Sequence, residues 1–583
     1  MSLPPLTVWY LHFEELGLRK ATIHPGATCK ELERVIAADA YNRTIELSFW
    51  QPKTPLSGLA TPSELRKRFN ASKPIEQSCT RLDPSMLVCD LLELKYELPV
   101  DECIPLVVCS DVSQKEVSPP ENDGLLVQAF HRSIQNVQKE RPLHMSADQN
   151  AHLGTRSISI GRHSECDLPA ISTPVELYHP VFCRFRQGGN DRSVLPPPDV
   201  VAETVAFMKS TENNWDQMRP IDHLLKILGI SNGVIADEVY PSPSSVVLYP
   251  STLHKSAPAA IVLEGLKFGS GGSDSTTEAF YVYKKLWAQP GRRKLLESSS
   301  SPTFLVTLTG RWLCILGAVW TTKPIVQRLT DMIWLGTSPV PAEATVLGIA
   351  RTLLVLRQNI ESLENYYRTL ELAPLANDRH KRFYPFITSY SDPRNPGRTI
   401  EFEYIQPLEK DASDMCVTYR AKTINTCNCT KDIVVKFVRE YGEDVHRLLS
   451  SRGMAPDLFY LGRISPGSEF SVVVMSYIQG KTVATVFGCM EVSDEVYQGV
   501  KEALNVLHEA GFVHGDLRRP NIMTDNGKVI LIDYDWAGLA GTARYPSFLN
   551  PRTAYPKGVG PRKEITKEHD EWMLEELRRS MEW

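Results

Sequence analysis

The chain has 583 residues, of which 42% are apolar and 23% are charged, and its formal net charge is −5. This length exceeds what one hydrophobic core supports, so several domains are expected, and the composition excludes a fibrous or disordered chain. The slightly acidic charge gives no global drive toward nucleic acid or membrane, which leaves a nucleic-acid partner open and predicts no membrane association.

Residues 1–110 alternate strand-like and helix-like patterns. The segment Thr28–Ala38 has helical spacing, with Thr28 as N-cap and Glu31 three residues later. Runs rich in β-branched and aromatic residues predict strands on both sides of this helix, over 6–13, 19–24, 44–50 and 104–109. The order predicts a ubiquitin-like β-grasp fold. Polar residues 111–154 then predict a linker or a loosely held helix.

Residues 155–375 are expected to form an α/β middle domain. The most apolar stretch, 304–320, is interrupted by Arg311, so it predicts two buried strands joined near Gly310 rather than a membrane span. Apolar residues at three- and four-residue steps predict a long helix over 344–370.

A possible metal-dependent nuclease motif also lies in this middle region. Glu264 and Lys267 faintly resemble the Glu-x-Lys pair of restriction-endonuclease-like folds, in which carboxylates hold Mg²⁺. Their spacing is one residue longer, and a one-residue slip moves a strand side chain to the other face. A degenerate, structural version of that fold is therefore favoured over an active nuclease.

The strongest signal lies in residues 376–583. His514, Asp516 and Asn521 form an H-x-D-x-x-x-x-N pattern, and an apolar strand ending in Asp533 follows twelve residues later. Phosphoryl transfer needs a carboxylate that accepts the hydroxyl proton, oxygen ligands for Mg²⁺ and a cation on the transferring group. A loop between a helix and a strand brings these three side chains together opposite Asp533.

These residues resemble the active-site loop of the protein-kinase superfamily, and His514-Gly515-Asp516-Leu517 is most similar to its aminoglycoside-phosphotransferase-like branch. The resemblance implies a bilobal fold that binds ATP and Mg²⁺. It implies that Asp516 is the catalytic base and that Asn521 and Asp533 bind Mg²⁺. Arg518 stands where kinases usually carry a lysine that contacts phosphate, and His514 belongs to the same catalytic loop.

Upstream residues supply the matching nucleotide-binding positions. Lys436 lies in a strand-like run over 432–438, and the resemblance implies that it holds the α- and β-phosphates. The following helix is expected to offer it a carboxylate, with Glu443 favoured over Asp444. A second strand over 471–478 resembles the strand and hinge that contact adenine, through Met475, Tyr477 and Ile478.

Three departures from the kinase pattern stand out. No Gly-x-Gly-x-x-Gly lies between residues 402 and 423, so other residues, such as Lys410–Asp414, are expected to cover the phosphates. Gly515 replaces the arginine of kinases that are regulated by phosphorylation. Asp535 replaces the usual glycine two residues after Asp533. These departures keep a catalytically weak pseudokinase open as an alternative.

The N-terminal region has a family resemblance of its own. Trp50-Gln51-Pro52, Leu82–Met86 and Pro105–Val108 are similar to the ubiquitin-like header of Crinkler-type proteins of fungi and oomycetes, which carry enzyme domains at their C-termini. Membership would imply an effector that acts inside cells, often in the nucleus, and is delivered into a host cell. The chain opens without a basic, apolar leader, so secretion would proceed without a signal peptide of the usual kind.

The sequence therefore predicts a multidomain α+β protein with a ubiquitin-like header over 1–110, a linker over 111–154, a middle domain over 155–375 and a kinase-like domain over 376–583. The expected function is ATP-dependent phosphorylation of a protein at Ser or Thr, by an intracellular effector whose header recruits a protein partner. A pseudokinase scaffold and a nuclease in the middle domain are the alternatives.

Overall fold

The computed structural model describes residues 6–12, 17–23, 47–52, 56–57, 79–81, 103–104, 106–110, 124–139, 158–159, 173–212, 218–230, 257–265, 275–336, 343–395, 397–408, 417–424, 430–488, 490–550 and 553–579. It forms two compact units, one within residues 1–119 and one within residues 120–579. None of the described helices combines the length and the apolar composition that crossing a membrane requires.

The N-terminal unit contains a mixed β-sheet. Its strands are β1 Leu6–His12, β2 Gly17–Ile23, β3 Leu47–Pro52, β4 Leu56–Ser57, β5 Cys79–Arg81, β6 Cys103–Ile104 and β7 Leu106–Ser110. The sheet order is β2-β1-β7-β3-β5, with β1 antiparallel to β2 and parallel to β7, while β4 pairs with β6. Strands were predicted in four of these places. The predicted helix Thr28–Ala38 lies outside the described residues.

The second unit begins with helices. These are α1 Leu125–Lys139, α2 Pro180–Asn190, α3 Pro198–Ser210 and α4 Pro220–Ile227, with the short strand β8 Ile158–Ser159 after α1. The helix α1 lies within the predicted linker, and it buries Phe130, Ile134 and Val137. These apolar side chains recur at three- and four-residue steps, so α1 is packed against the core along one face.

A sheet and a long helix complete this part. The elements are β9 Ala260–Gly265, α5 Ser275–Trp287, α6 Arg293–Ser298, β10 Thr303–Thr309, β11 Trp312–Trp320, β12 Pro324–Arg328, β13 Ile333–Trp334 and α7 Glu343–Thr369. The sheet order is β8-β12-β11-β10-β9, and β9 runs parallel to β10. The predicted strand pair is confirmed: Gly310, with φ of +58°, turns the chain between β10 and β11. The predicted long helix is confirmed to within one residue at each end.

The C-terminal part has a small sheet followed by a mostly helical region. Its elements are β14 Ser389–Ser391, β15 Thr399–Pro407, β16 Thr418–Ile424, β17 Asp432–Val438, α8 Glu443–Ser451, β18 Leu458–Arg463, β19 Ser471–Ser476, β20 Lys481–Thr482, α9 Val483–Phe487, α10 Asp494–Glu509, β21 Phe512–Val513, β22 Ile522–Asp525, β23 Lys528–Leu531, β24 Gly538–Leu539 and α11 Lys567–Glu576. The sheet order is β14-β15-β16-β17-β19-β18, with the helix α8 between β17 and β18.

The central strand β17 of this sheet is buried on both faces. Successive side chains of a strand point to opposite faces. Ile433, Val435 and Phe437 of β17 belong to one large apolar core that continues into the middle region, whereas Val434 and Val438 belong to a separate small cluster. Contacts between the regions include a hydrogen bond from Phe386 N to Leu177 O (2.8 Å) and paired hydroxyls of Tyr178 and Tyr419 (3.5 Å). The middle region and the sheet therefore share one core.

Candidate active site

The loop after β21 is fixed by one buried carboxylate. Asp570 of α11 is fully buried; its Oδ2 accepts a hydrogen bond from His514 N and its Oδ1 one from Gly515 N, each at 2.8 Å. Gly515 has φ of +81°, and a Cβ there would lie 2.8 Å from Ile565 Cδ1. Both the left-handed backbone and the lack of space therefore require glycine at this position.

Asp516 lies in a buried polar pocket formed by this loop. Asn521 Nδ2 donates hydrogen bonds to Asp516 O (2.9 Å) and to Asp516 Oδ2 (2.8 Å), and Arg518 Nε donates to the same Oδ2 (3.1 Å). Burial raises the pKa of Asp516, the Arg518 guanidinium opposes this change, and repulsion by Asp533 adds to it. A raised pKa makes a carboxylate a stronger base, and a general base works best when its pKa lies near the operating pH.

Lys436 binds two carboxylates that follow β23. Its Nζ donates hydrogen bonds to Asp533 Oδ1 at 2.7 Å and to Asp535 Oδ1 at 2.6 Å. Burial alone would lower the pKa of Lys436, but the two carboxylates outweigh burial and raise it. Despite burial, Lys436 lowers the pKa of Asp533 to about 2, whereas burial and repulsion by Asp533 raise the pKa of Asp535 to about 7. One amine thus bonds to both carboxylates at nearly equal distances.

The backbone at Asp533 is unusual. Its φ is +68°, in the left-handed region that non-glycine residues rarely adopt. Tyr534 O accepts hydrogen bonds from Gly442 N (2.9 Å) and Ala537 N (3.2 Å), and these bonds hold the turn. Strained backbone of this kind clusters at functional sites, where the surrounding structure over-determines it.

The oxygen donors at this site fit a magnesium ion. Among the described residues no three His, Cys, Asp or Glu side chains form a metal-binding group. Mg²⁺ in nucleotide-dependent enzymes is usually held by one or two carboxylates together with substrate phosphates, so it does not need such a group. The backbone next to Asp533 is tied to Asn521, because Ile532 N donates a hydrogen bond to Asn521 O at 2.9 Å. The side-chain oxygen atoms of Asn521 and Asp533 are the ligand type that Mg²⁺ prefers.

Glu443 does not pair with Lys436, which corrects the expected pairing. Glu443 is the first residue of α8 and forms an ion pair with Arg447 one turn later, at 2.7 Å, on a half-exposed face. Asp444, the other candidate, is exposed. The buried face of α8 consists of Val445, His446 and Leu449. Both acidic residues therefore lie on the outer side of the helix, away from its buried face.

The predicted hinge residues follow the expected strand. Met475 is buried on β19 beside Val434, its partner in the sheet register. The strand ends at Ser476, so Tyr477 and Ile478 lie just beyond it, and both are half-buried. Arg420 lies over the Tyr477 ring, with its guanidinium carbon 4.4 Å from the ring centre. The adenine-binding role of these residues stays a prediction, and Lys410–Asp414 lie outside the described residues.

Two residues of the site were not predicted. In the sequence, Asp535 differs from the kinase pattern only by replacing a glycine. Its position two residues after Asp533 is the sequence feature that could have indicated a second carboxylate for Lys436. Arg519 is buried and donates hydrogen bonds to the carbonyl oxygens of Gly488 (2.8 Å), Leu577 (3.1 Å) and Arg579 (3.0 Å). It braces the catalytic loop from behind, while its neighbour Arg518 faces Asp516. The sequence Arg518-Arg519 alone does not tell these roles apart.

The sheet, the loop and the paired carboxylates together define a protein-kinase-like phosphotransferase domain in the C-terminal region. Residues 467–537 match the RIO domain family. This match indicates a RIO-type, atypical protein-kinase domain at these residues of the C-terminal region. A kinase-like domain of this kind implies dependence on ATP and Mg²⁺.

Two further proteins are similar to part of this chain. The KEOPS complex subunit Bud32 of Pyrococcus abyssi is 35% identical over 68 residues, which are 11% of this chain and 31% of that protein. The structure of the Cydia pomonella granulovirus kinase PK-1 covers 30% of this chain and 65% of that chain at 20% identity, with a TM-score of 0.23. The chain therefore spans about a third of the length of the curated relative it matches.

Proposed function

We propose that the protein transfers the γ-phosphoryl group of ATP to a hydroxyl, that of Ser or Thr in a protein substrate. The observation that carries this proposal is the pairing of Lys436 with Asp533 at 2.7 Å, next to a buried Asp516 that is hydrogen-bonded to Asn521. Lys436 and Asp516 are both buried, which distinguishes this group of charges from an ion pair on the protein surface. A base, oxygen ligands and a cation in one place are the parts that phosphoryl transfer requires.

Each side chain has a defined task in this reaction. Asp516 accepts the hydroxyl proton at its carboxylate, while Asn521 and Arg518 orient that carboxylate through the hydrogen bonds at Oδ2. Asn521 and Asp533 would hold Mg²⁺, which supplies charge neutralisation for the phosphates when it is bound. Lys436 and Arg518 contribute fixed positive charge near the transferring group, and a preorganised charge of this kind costs no reorganisation during reaction.

The test is transfer of labelled γ-phosphate by the purified full chain, to itself and to a mixed Ser- and Thr-containing protein acceptor. Wild type is compared with Asp533→Ala and with the surface variant Asp444→Ala, which removes an exposed carboxylate of similar size. We expect label transfer in wild type and Asp444→Ala, and its loss in Asp533→Ala. Equal transfer by all three proteins would rule out the assignment.

A binding scaffold is the second candidate. Both carboxylates that face Lys436 already occupy its amine, so a nucleotide must compete for that lysine. A scaffold of this kind would bind nucleotide without transferring phosphate. A rise in melting temperature on adding Mg²⁺ and ATP, with no labelled product after long incubation, would favour this function over catalysis.

We propose that the N-terminal unit is a β-grasp header of the Crinkler type that recruits a protein partner. Its support is the hairpin β1-β2 and the parallel pairing of β1 with β7 in the sheet order β2-β1-β7-β3-β5. Bud32 is named as a subunit of a complex, which adds support for protein partners. We further propose that the protein acts inside a host cell, in the cytoplasm or nucleus. Expressing the tagged chain with and without residues 1–119 in host cells tests both proposals.

A nuclease in the middle region is the third candidate. Its support is Glu264 near the end of β9, in a β9-α5-β10 crossover with parallel strands. Burial raises the pKa of Glu264, the nearby Arg219 opposes this change, and Asp222 adds to it. Lys267 lies outside the described residues. Incubating the full chain with DNA and Mg²⁺ is the test, and cutting that survives Glu264→Ala would eliminate this site.

A further inference from the structure

We propose that Asp535 is a positioning residue for Lys436, and that it takes the place of the helix-borne carboxylate on which other protein kinases depend. In those kinases the lysine pairs with a glutamate of the helix after its strand, and this pair must be in place for activity. Here the Lys436 amine bonds to Asp535 Oδ1 at 2.6 Å and to Asp533 Oδ1 at 2.7 Å. The proposal deepens the proposed function and rests on it.

The helix α8 cannot supply this carboxylate. Its N-cap is Gly442, and a Cβ at this position would lie 2.5 Å from Ala537 O and 2.9 Å from Ala537 Cβ. A longer side chain therefore has no room where α8 meets the segment after Asp533. The acidic residues that follow, Glu443 and Asp444, lie on the outer side of the helix.

The inner face of α8 is committed to other contacts. His446 is fully buried; its Nε2 donates to Pro456 O at 2.8 Å, and its Nδ1 accepts from the Tyr441 hydroxyl at 2.7 Å. Its ring stacks on Tyr534 with centroids 4.6 Å apart and an angle of 18°. A histidine with both nitrogens satisfied in this way has no atom left for Lys436. The helix thus packs on Tyr534 but leaves the lysine to other residues.

Asp535 is placed to do this work throughout the reaction. Asp533 and Asp535 flank the same amine from one turn. Asp533 directly follows Ile532, whose N–H bonds to Asn521 O, so Asp533 is the one of the two that we assign to Mg²⁺ together with Asn521. If Asp533 held Mg²⁺, Asp535 would be the carboxylate that stays on Lys436 and orients its amine. The assembly of the lysine site then depends on the segment after β23 and not on movement of α8.

The test compares Asp535→Asn, Asp535→Glu and the matched control Glu443→Gln. The first readout is the rate at which an amine-acylating reagent modifies Lys436 in nucleotide-free full-length protein, followed by mass spectrometry. We expect Asp535→Asn to raise this rate by about fivefold or more, because the amine loses a charged partner, and Asp535→Glu to restore it. Glu443→Gln should leave the rate unchanged.

The second readout is steady-state phosphate transfer. For Asp535→Asn we expect KM for ATP to rise by about tenfold with a smaller change in kcat, since the lysine is mispositioned rather than lost. An acylation rate that Asp535→Asn leaves unchanged, or that Glu443→Gln raises equally, overturns the proposal. The acylation readout needs no activity, so it decides on Asp535 even if wild type transfers no phosphate. Melting temperatures of the variants show that each is folded.

Discussion

Lys436 and Phe437 are consecutive residues of β17 with opposite surroundings. Lys436 lies on the active-site face of the strand and bonds to Asp533 and Asp535, whereas Phe437 is buried in the core shared with the middle region. The active-site face carries Lys436, which is held by its acidic partners, beside the small apolar cluster of Val434 and Val438, whereas the opposite face of β17 carries only apolar side chains held by packing. We therefore expect substitutions on the active-site face to lower phosphate transfer, and substitutions on the opposite face to lower the free energy of unfolding.

The largest effect is expected for a residue of the active site. Asp516→Asn keeps an oxygen that accepts the Asn521 and Arg518 hydrogen bonds but removes the base, so we expect phosphate transfer to fall by roughly 100- to 10,000-fold. The free energy of unfolding should change little. Transfer of labelled γ-phosphate, beside a melting curve, measures both quantities, and Asp444→Asn is the control. Activity near the wild-type rate would remove Asp516 from the mechanism.

On the opposite face, Phe437→Ala should mainly cost stability. Phe437 is only 3% exposed, so removing its ring leaves a cavity, and we expect the free energy of unfolding to fall by about 3–5 kcal/mol. Urea unfolding of the full chain measures this loss, and Phe437→Leu should lose less. Unchanged stability in Phe437→Ala would show that the middle region does not support the sheet.

His446 gives this part of the molecule a dependence on pH. Burial lowers its pKa from 6.5 to about 4, so the folded state stays neutral where the unfolded chain already binds a proton. The contribution of His446 to the free energy of unfolding is fully present above about pH 6.5 and is lost as the pH falls toward 4. The change is roughly 3 kcal/mol at most. Unfolding curves between these limits should show a shallower decline in His446→Gln. Equal slopes for the two proteins would contradict the assignment.

The smallest effect is expected where charges join the regions at the surface. Glu469 lies 3.7 Å from Arg186 of α2 and 3.9 Å from Arg439, and its side chain is 63% exposed. Solvent screens such pairs, so Glu469→Gln should lower the free energy of unfolding by no more than about 1 kcal/mol. Urea unfolding at low and high salt is the check. A loss as large as that in Phe437→Ala would mean that ion pairs, not packing, hold the regions together.

The sequence predicted the elements that depend on local pattern. The turn between β22 and β23 is formed by Asn526 and Gly527, both with positive φ, as an Asn-Gly pair in a tight hairpin requires. The strand that was predicted to end in Asp533 is present as β23 but ends at Leu531, two residues earlier.

Pairings across the fold were harder to predict. Lys436 bonds to Asp533 and Asp535, which lie almost a hundred residues further along the chain, and a pairing of that range leaves no local pattern in the sequence. The shared core does have a signal in the sequence. The run 432–438 is apolar almost without alternation, a pattern typical of a strand buried on both faces.

The phosphate transfer rate of Lys436→Met beside that of Phe437→Ala tests this difference between the two faces of β17 most directly, with both proteins measured well below their own melting temperatures. We expect Lys436→Met to be slower than wild type by roughly 100-fold or more, because a preorganised cation is lost, while folded Phe437→Ala stays within about fivefold of wild type. Equal rates for the two variants would contradict this expectation.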